Sequence, residues 1–285
     1  MGQEDTARLN ELAAGLILPE GLRWHDDRLW FSDIEAKRVC SVDLEGKMRI
    51  ELELDDNPSG LGWLPDKTLL VVSMRRQQIL AVVKGRPVLH ADLTGLALAH
   101  ANDMIVDAQG RAYVGSMGYD IWAGERFRPG NICVVRPDGS ASVAADGLAF
   151  PNGMAIHRDR SLIVAESSAG KLTAFDIAAD GGLRSRRTWA AMDGETPDGI
   201  AIEETGAVWV AGASSGSAIR CLRNHGAIQR ISLPAGCTAY SVAIGGPKKT
   251  VLFIGCSSPF SSPASSRMTT RPGTIKWIDL TIGSK

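Results

Sequence analysis

Pro19-Glu20-Gly21-Leu22-Arg23-Trp24 returns as Pro58-Ser59-Gly60-Leu61-Gly62-Trp63, Pro151-Asn152-Gly153-Met154-Ala155-Ile156 and Pro197-Asp198-Gly199-Ile200-Ala201-Ile202. Two weaker copies, Ala101-Asn102-Asp103-Met104-Ile105-Val106 and Ala239-Tyr240-Ser241-Val242-Ala243-Ile244, fall where the period requires them. Six units spaced roughly 40 to 50 residues apart mark a repeat architecture. Each phrase reads as a turn feeding an alternating strand. Polar punctuation follows, as in His25-Asp26-Asp27, Asp107-Ala108-Gln109-Gly110 and Glu203-Glu204-Thr205-Gly206, with β-rich runs between. Four short strands per unit predict an all-β, six-bladed β-propeller, one domain over residues 1–285. A doubly wound fold needs amphipathic helical windows between strands, and the sequence offers few. Glu4 to Ala14 is the best of them and predicts a possible helix in an N-terminal extension, residues 1–14, outside the repeat. Thr274 to Leu280 is expected to close the ring against Leu16 to Leu18.

In a propeller, equivalent positions of successive blades ring the central axis. The second residues of the six phrases are Glu20, Ser59, Asn102, Asn152, Asp198 and Tyr240, and every one carries a side-chain oxygen. Asn and Asp in Pro-Asn-Gly and Pro-Asp-Gly are also ordinary turn formers that bond their own backbone. Glu20 does not fit that explanation, and the polar residue survives in the degenerate copy at Asn102. The ring therefore predicts a hard-oxygen cage suited to one divalent metal ion, calcium first, with magnesium, manganese or zinc as alternatives.

The set Pro19-Glu20-Gly21-Leu22-Arg23-Trp24, His100-Ala101-Asn102-Asp103, Phe150-Pro151-Asn152-Gly153-Met154 and Pro197-Asp198-Gly199 resembles the gluconolactonase, regucalcin (senescence marker protein) and lactonase group of six-bladed propellers. The resemblance spans nearly the whole chain. It implies a metal held by Glu20, Asn152 and Asp198, with Asn102 beside it on the substrate or a metal-bound water. His100 stands where regucalcin-like members carry an Arg, so substrate specificity does not carry over. The sixth copy, Cys237 to Gly246, also departs from the pattern of that group.

The implied activity is hydrolysis of a small-molecule lactone or ester by metal-activated water. Asp198 is the first candidate for general base, and His100 the second, because an imidazole titrates near neutrality. Asn102, His100, Ser59, Tyr240 and Trp122 are expected to line the substrate. Met117 to Gly130 reads either as a lid over the pocket or as a solvated loop. Two alternatives use the same metal site: a phosphotriesterase or aryl-esterase, and a non-catalytic metal-binding propeller acting as scaffold or sensor.

Other features are read as silent. Gly212 to Gly216 spells Gly-x-Ser-x-Gly, but it lies between two strands and lacks the strand-to-helix turn of a serine-esterase elbow. His25, His90, His157 and His225 sit in or beside turns. Trp24, Trp30, Trp63 and Trp209 recur at equivalent strand positions and are assigned to the inter-blade core. The five cysteines, Cys40, Cys133, Cys221, Cys237 and Cys256, are scattered and read as small buried hydrophobes. Cys256 to Gly273 is Ser- and Pro-rich and reads as an excursion within the last blade. A net charge of -1 with interspersed signs gives no basic stripe, so nucleic acid is not expected as a partner. No apolar run approaches the roughly 20 residues of a membrane span, and no signal peptide is visible, which predicts a cytoplasmic, soluble protein. The sequence leaves monomer and homo-oligomer open.

Overall fold

The computed structural model describes residues 3–4, 9–259 and 272–281. These form five four-stranded antiparallel sheets and a sixth with a short parallel fifth strand on its edge, arranged as the blades of a propeller. Blade I runs from Pro19 to Glu53, blade II from Pro58 to Asp92, blade III from Ala101 to Leu148, blade IV from Pro151 to Ala191 and blade V from Pro197 to Ser232. Blade VI takes its three inner strands from Thr238–Gly245, Val251–Ser257 and Gly273–Asp279, and its fourth from Asn10–Leu16.

Burial falls from the axis to the rim, and the sequence follows it. The second strands, such as Leu69–Ser73, Ser161–Glu166 and Val208–Gly212, are buried at every position. That is why Leu-Leu-Val-Val, Leu-Ile-Val-Ala and Val-Trp-Val-Ala are unbroken apolar runs and not alternating ones. The fourth strands are mostly exposed, as in Met48–Glu53 and Arg86–Asp92. Hairpins join the strands; Asp26 (φ 45°) and Asp27 (φ 59°) form a two-residue turn with both residues left-handed, matching the strand twist.

The Trp residues pack between blades as expected. Trp24 stacks on Phe253 of blade VI at 5.4 Å, Trp30 meets Trp63 edge-on at 5.6 Å, and Trp209 is buried. His25 is not merely solvated: it stacks on Trp63 at 4.0 Å. Cys40, Cys133, Cys221 and Cys256 are buried free thiols, and burial pushes Cys221 up to about 12.

The N-terminal expectation is corrected. Asn10–Leu16 is a strand, paired antiparallel with Gly273–Asp279, and Gln3–Glu4 is a short strand parallel to the outer edge of blade V. Leu12 and Leu16 are four apart, which imitates a helical face. A spacing of four also keeps both on one face of a strand, and here both are buried. The open edge of blade VI supplies the partner that makes strand the better state. The final apolar run does close the ring, but further back than Leu16 to Leu18: Ile275, Lys276 and Trp277 pair with Ala13, Glu11 and Asn10, and Leu16 pairs with Gly273 just before the run. Most of the Ser- and Pro-rich stretch, residues 260–271, lies outside the described residues.

Candidate active site at the propeller axis

The recurring phrase is not a turn before a strand but the bulged start of each innermost strand. In every blade the pairing with the second strand shifts register inside it: Glu20/Arg23, Pro58/Leu61, Ala101/Met104, Pro151/Met154, Pro197/Ile200 and Ala239/Ser241. A bulge re-aims the side chain beside it, and repeated six times it turns the second residue of each phrase to the axis. The glycine that follows is a packing requirement. A Cβ on Gly60 would lie 2.2 Å from Met104 N, and one on Gly199 2.7 Å from Ser241 Cα, so neighbouring inner strands touch backbone to backbone.

Ser59, Asn102, Asn152, Asp198 and Tyr240 are all buried here, and Glu20 is partly buried. The Ser59 hydroxyl donates to Asn102 Oδ1 at 3.4 Å, leaving the Asn102 amide N–H groups to face a ligand. Asn152 Nδ2 donates to Ser167 Oγ at 3.3 Å, and Ser167 in turn donates to Pro197 O at 2.7 Å, tying blade IV to the start of blade V. Asn152 also hydrogen-bonds the Asp198 carboxyl. Asp198 Oδ1 is buried without a hydrogen-bond partner. Tyr240 sits in the ring, but its hydroxyl is committed to Ser258 O at 3.0 Å.

Burial, then the charges of Asp198 and Asp103, raise the Glu20 carboxyl well above its ordinary range. Burial and Asp103 do the same to Asp198, against hydrogen bonds from Asn152 and Gly199 N–H. Buried carboxylates that repel one another and leave an oxygen unbonded form a site with a deficit of positive charge. Carboxylate and amide oxygens suit a hard divalent cation. Among the described residues no group of three or more His, Cys, Asp and Glu side chains is placed to hold a metal, so amide oxygen must complete any such set.

His100 and Trp122 pack together beside Ile34, Asn57, Met74 and Arg75. Their rings meet edge-on at 5.2 Å, the Arg75 guanidinium lies 5.6 Å over the Trp122 ring, and His100 Nε2 is 3.0 Å from Asp120 Oδ2. The segment from Met117 to Gly130 is anchored by Gly118 N to Leu98 O at 2.9 Å and by Asp120 Oδ1, which accepts from Trp122 N and Ala123 N. Its tip, Phe127, is exposed. Gly212 to Gly216 is a turn between strands, and Ser214 is exposed and bonded to Glu195.

Three groups went unread in the sequence: Ser167, Asp120 and the Arg23–Asp103 pair. No local motif announces them. Asp103, however, stands where four other copies of the phrase carry glycine, and that departure was the available signal.

The fold and site define a six-bladed propeller with a ring of polar side chains at its axis, built from the same position of each blade. The chain belongs to the SMP-30/gluconolactonase/LRE-like family, whose model matches residues 18–258. It is 29% identical over 244 residues to the pentonolactonase XacC of Haloferax volcanii, covering 83% of this chain and 80% of that one. It is 25% identical over 268 residues to the regucalcin of Macaca fascicularis, covering 87% of each. Among solved structures it superposes on a luciferin-regenerating enzyme with a TM-score of 0.81 at 19% identity, over 96% of this chain and 95% of that one. A gluconolactonase of Xanthomonas campestris gives a TM-score of 0.74 at 22% identity, over 95% and 90%. At those identities the structural likeness speaks to the fold. No helix among the described residues is long and apolar enough to cross a membrane.

Proposed function

We propose that the protein hydrolyses small lactones at the axial pocket, with Glu20, Asn152 and Asp198 holding one divalent cation, calcium first. The observation that carries this reading is the pair of desolvated carboxylates, Glu20 and Asp198, with Asp198 Oδ1 unbonded, at the axis of a chain similar to a pentonolactonase over four-fifths of its length. Such a cation supplies Lewis acidity, polarising a carbonyl and making nearby water more acidic.

The chain's own residues do the rest. Asn102, its oxygen occupied by Ser59, donates its amide N–H to the lactone carbonyl oxygen, which gains negative charge as water attacks. Asp198 accepts the proton of the attacking water. The carbonyl carbon becomes tetrahedral, the ring C–O bond breaks, and the expelled oxygen takes up a proton to give the hydroxy acid. His100, backed by Asp120, is the second proton acceptor. Trp122 and the segment around it cover the substrate on that side and limit water.

The test is pH-stat hydrolysis of gluconolactone, pentonolactones and an aryl ester by chelated protein titrated back with calcium, magnesium, manganese or zinc. Lactone opening that depends on the cation and vanishes in Asp198→Ala is the expected result. Turnover of the aryl ester alone would favour the esterase reading, and no turnover with any cation would leave a binding propeller. In the same assay, His100→Gln changes the pH profile if His100 takes the proton; an unchanged profile removes it from the mechanism.

A further inference from the structure

Beneath the ring of oxygens a single charged pair bridges two blades. Arg23, on the inner strand of blade I, reaches past blade II to blade III. Its Nη2 donates to Asp103 Oδ1 at 2.8 Å, Asp103 Oδ2 at 3.1 Å and Met104 O at 2.7 Å, and its Nη1 donates to Leu22 O at 2.8 Å. Gly60 and Gly62 of blade II leave no side chain in the way. Both members of the pair are buried, at 14% and 8% side-chain exposure. Below them is an apolar cavity of about 290 Å³, which Arg23 lines together with Leu22, Trp24, Ile105, Met154 and Ile200. The guanidinium therefore stands between the polar site and an oily compartment, where charges are weakly screened.

Asp103 acts electrostatically on both Glu20 and Asp198, and Arg23 acts on Glu20 in the opposite sense. With a cation bound and Glu20 and Asp198 ionised against it, the axis holds three carboxylates, Glu20, Asp103 and Asp198, and one guanidinium: three negative charges less one positive leave two negative.

We propose that Arg23 is a specificity-determining residue: by pairing Asp103 it sets the net charge of the axial site to minus two and selects a divalent over a trivalent cation. The inference rests on the cation site proposed above. Without Arg23, Asp103 would be a third unpaired carboxylate. An ion of charge three gains more from it than an ion of charge two, because the interaction scales with the product of charges. Nη2, shared between both Asp103 oxygens, also holds that carboxylate toward blade I, so that it stays out of the ligand set.

The experiment is titration calorimetry of calcium chloride and terbium chloride into the chelated full-length protein. Wild type, Arg23→Met, Arg23→Lys and the double variant Arg23→Met/Asp103→Asn are compared by the ratio of terbium to calcium affinity. Arg23→Met should raise that ratio roughly tenfold or more. Arg23→Lys keeps the charge and should stay near wild type, and the double variant, again at minus two, should return to it. Asp103→Asn alone leaves the site at minus one and should lower the ratio, an opposite sign that decides the matter even if Arg23→Met does not fold. A wild-type protein that binds neither ion removes the cation site and this role together. A wild type that binds calcium, with the ratio unmoved in Arg23→Met or Asp103→Asn, removes the role of Arg23 alone.

Discussion

Gly153→Ala adds one methyl group at the seam between Asn152 and Asp198. The new Cβ would lie 2.5 Å from Ile200 N, 2.6 Å from Asp198 O and 2.6 Å from Gly199 Cα, all main-chain atoms of blade V. Ordinary contact begins near 3.5 Å, so blades IV and V must separate there by about 1 Å. Overpacking of this kind costs about 1–3 kcal/mol, and in a domain this large each kcal/mol lowers the melting temperature by about 2–4 °C. A fall of roughly 3–10 °C is expected. The same displacement separates two groups of the site, and a misplacement of about 1 Å costs on the order of 100-fold in rate. Gly85→Ala is the control: Gly85 has φ +73° with no atom within 4 Å of a built Cβ, so it carries only the left-handed penalty of about 1–2 kcal/mol, far from the axis. Thermal melts and lactone hydrolysis on both variants decide the point. If Gly153→Ala melts and turns over like wild type, or if Gly85→Ala loses comparable activity, the close approach of inner strands does not set the site's geometry.

Leu16→Ala removes a side chain buried at 1% exposure from the strand that closes blade VI, and should cost about 2–5 kcal/mol, seen as a lower urea midpoint. Burial alone pushes the Glu166 carboxyl up, but hydrogen bonds from Ala149 N–H and Thr173 and the charges of Lys171 and Arg186 hold it below its ordinary range. A depressed carboxyl contributes stability above its unfolded pKa and loses it as pH falls through the folded one. Glu166→Gln should therefore be destabilised by about 1–3 kcal/mol at pH 7, with the gap from wild type closing below about pH 4 in denaturant titrations. Ser214→Ala should retain full lactone hydrolysis, because the Ser214 hydroxyl is engaged in local contacts alone, donating to Gly194 O and Glu195 and accepting from Thr196 N; a loss beyond about tenfold would revive the serine-nucleophile reading.

The sequence disclosed the blades because a propeller repeats its constraints. Each inner strand needs a bulge to turn one side chain to the axis, and four of the six also place a residue without Cβ where strands touch, so Pro-x-Gly recurs and can be counted. The phrase was nevertheless misread as a turn: Pro and Gly are the usual marks of turns, and nothing local shows that Gly60 is pressed on Met104, 44 residues later in the chain. The strand Asn10–Leu16 was missed for a related reason. Its partner, Gly273–Asp279, lies at the other end of the chain, and the spacing of Leu12 and Leu16 fits a helix as well as a strand. Ser167 and Asp120 sit in connections outside the repeat, where periodicity is silent.

The departures from the repeat, more than the repeat itself, make the site chemically asymmetric. Six identical phrases would give a six-fold ring with no preferred direction. Two blades put a side chain where the others have glycine, and both side chains bond to blade I. Ser241 of blade VI accepts from Leu22 N at 3.0 Å, and Asp103 of blade III receives Arg23. The ring is thereby pinned around Glu20, a carboxylate that no turn would select. One arm of that clamp reaches an adjacent blade and can be rationalised as closure. The other skips a blade to reach blade III, and closure does not require it. Positioning charge beneath Glu20 and Asp198 does, which is why the Arg23–Asp103 pair is assigned to the site and not to the scaffold.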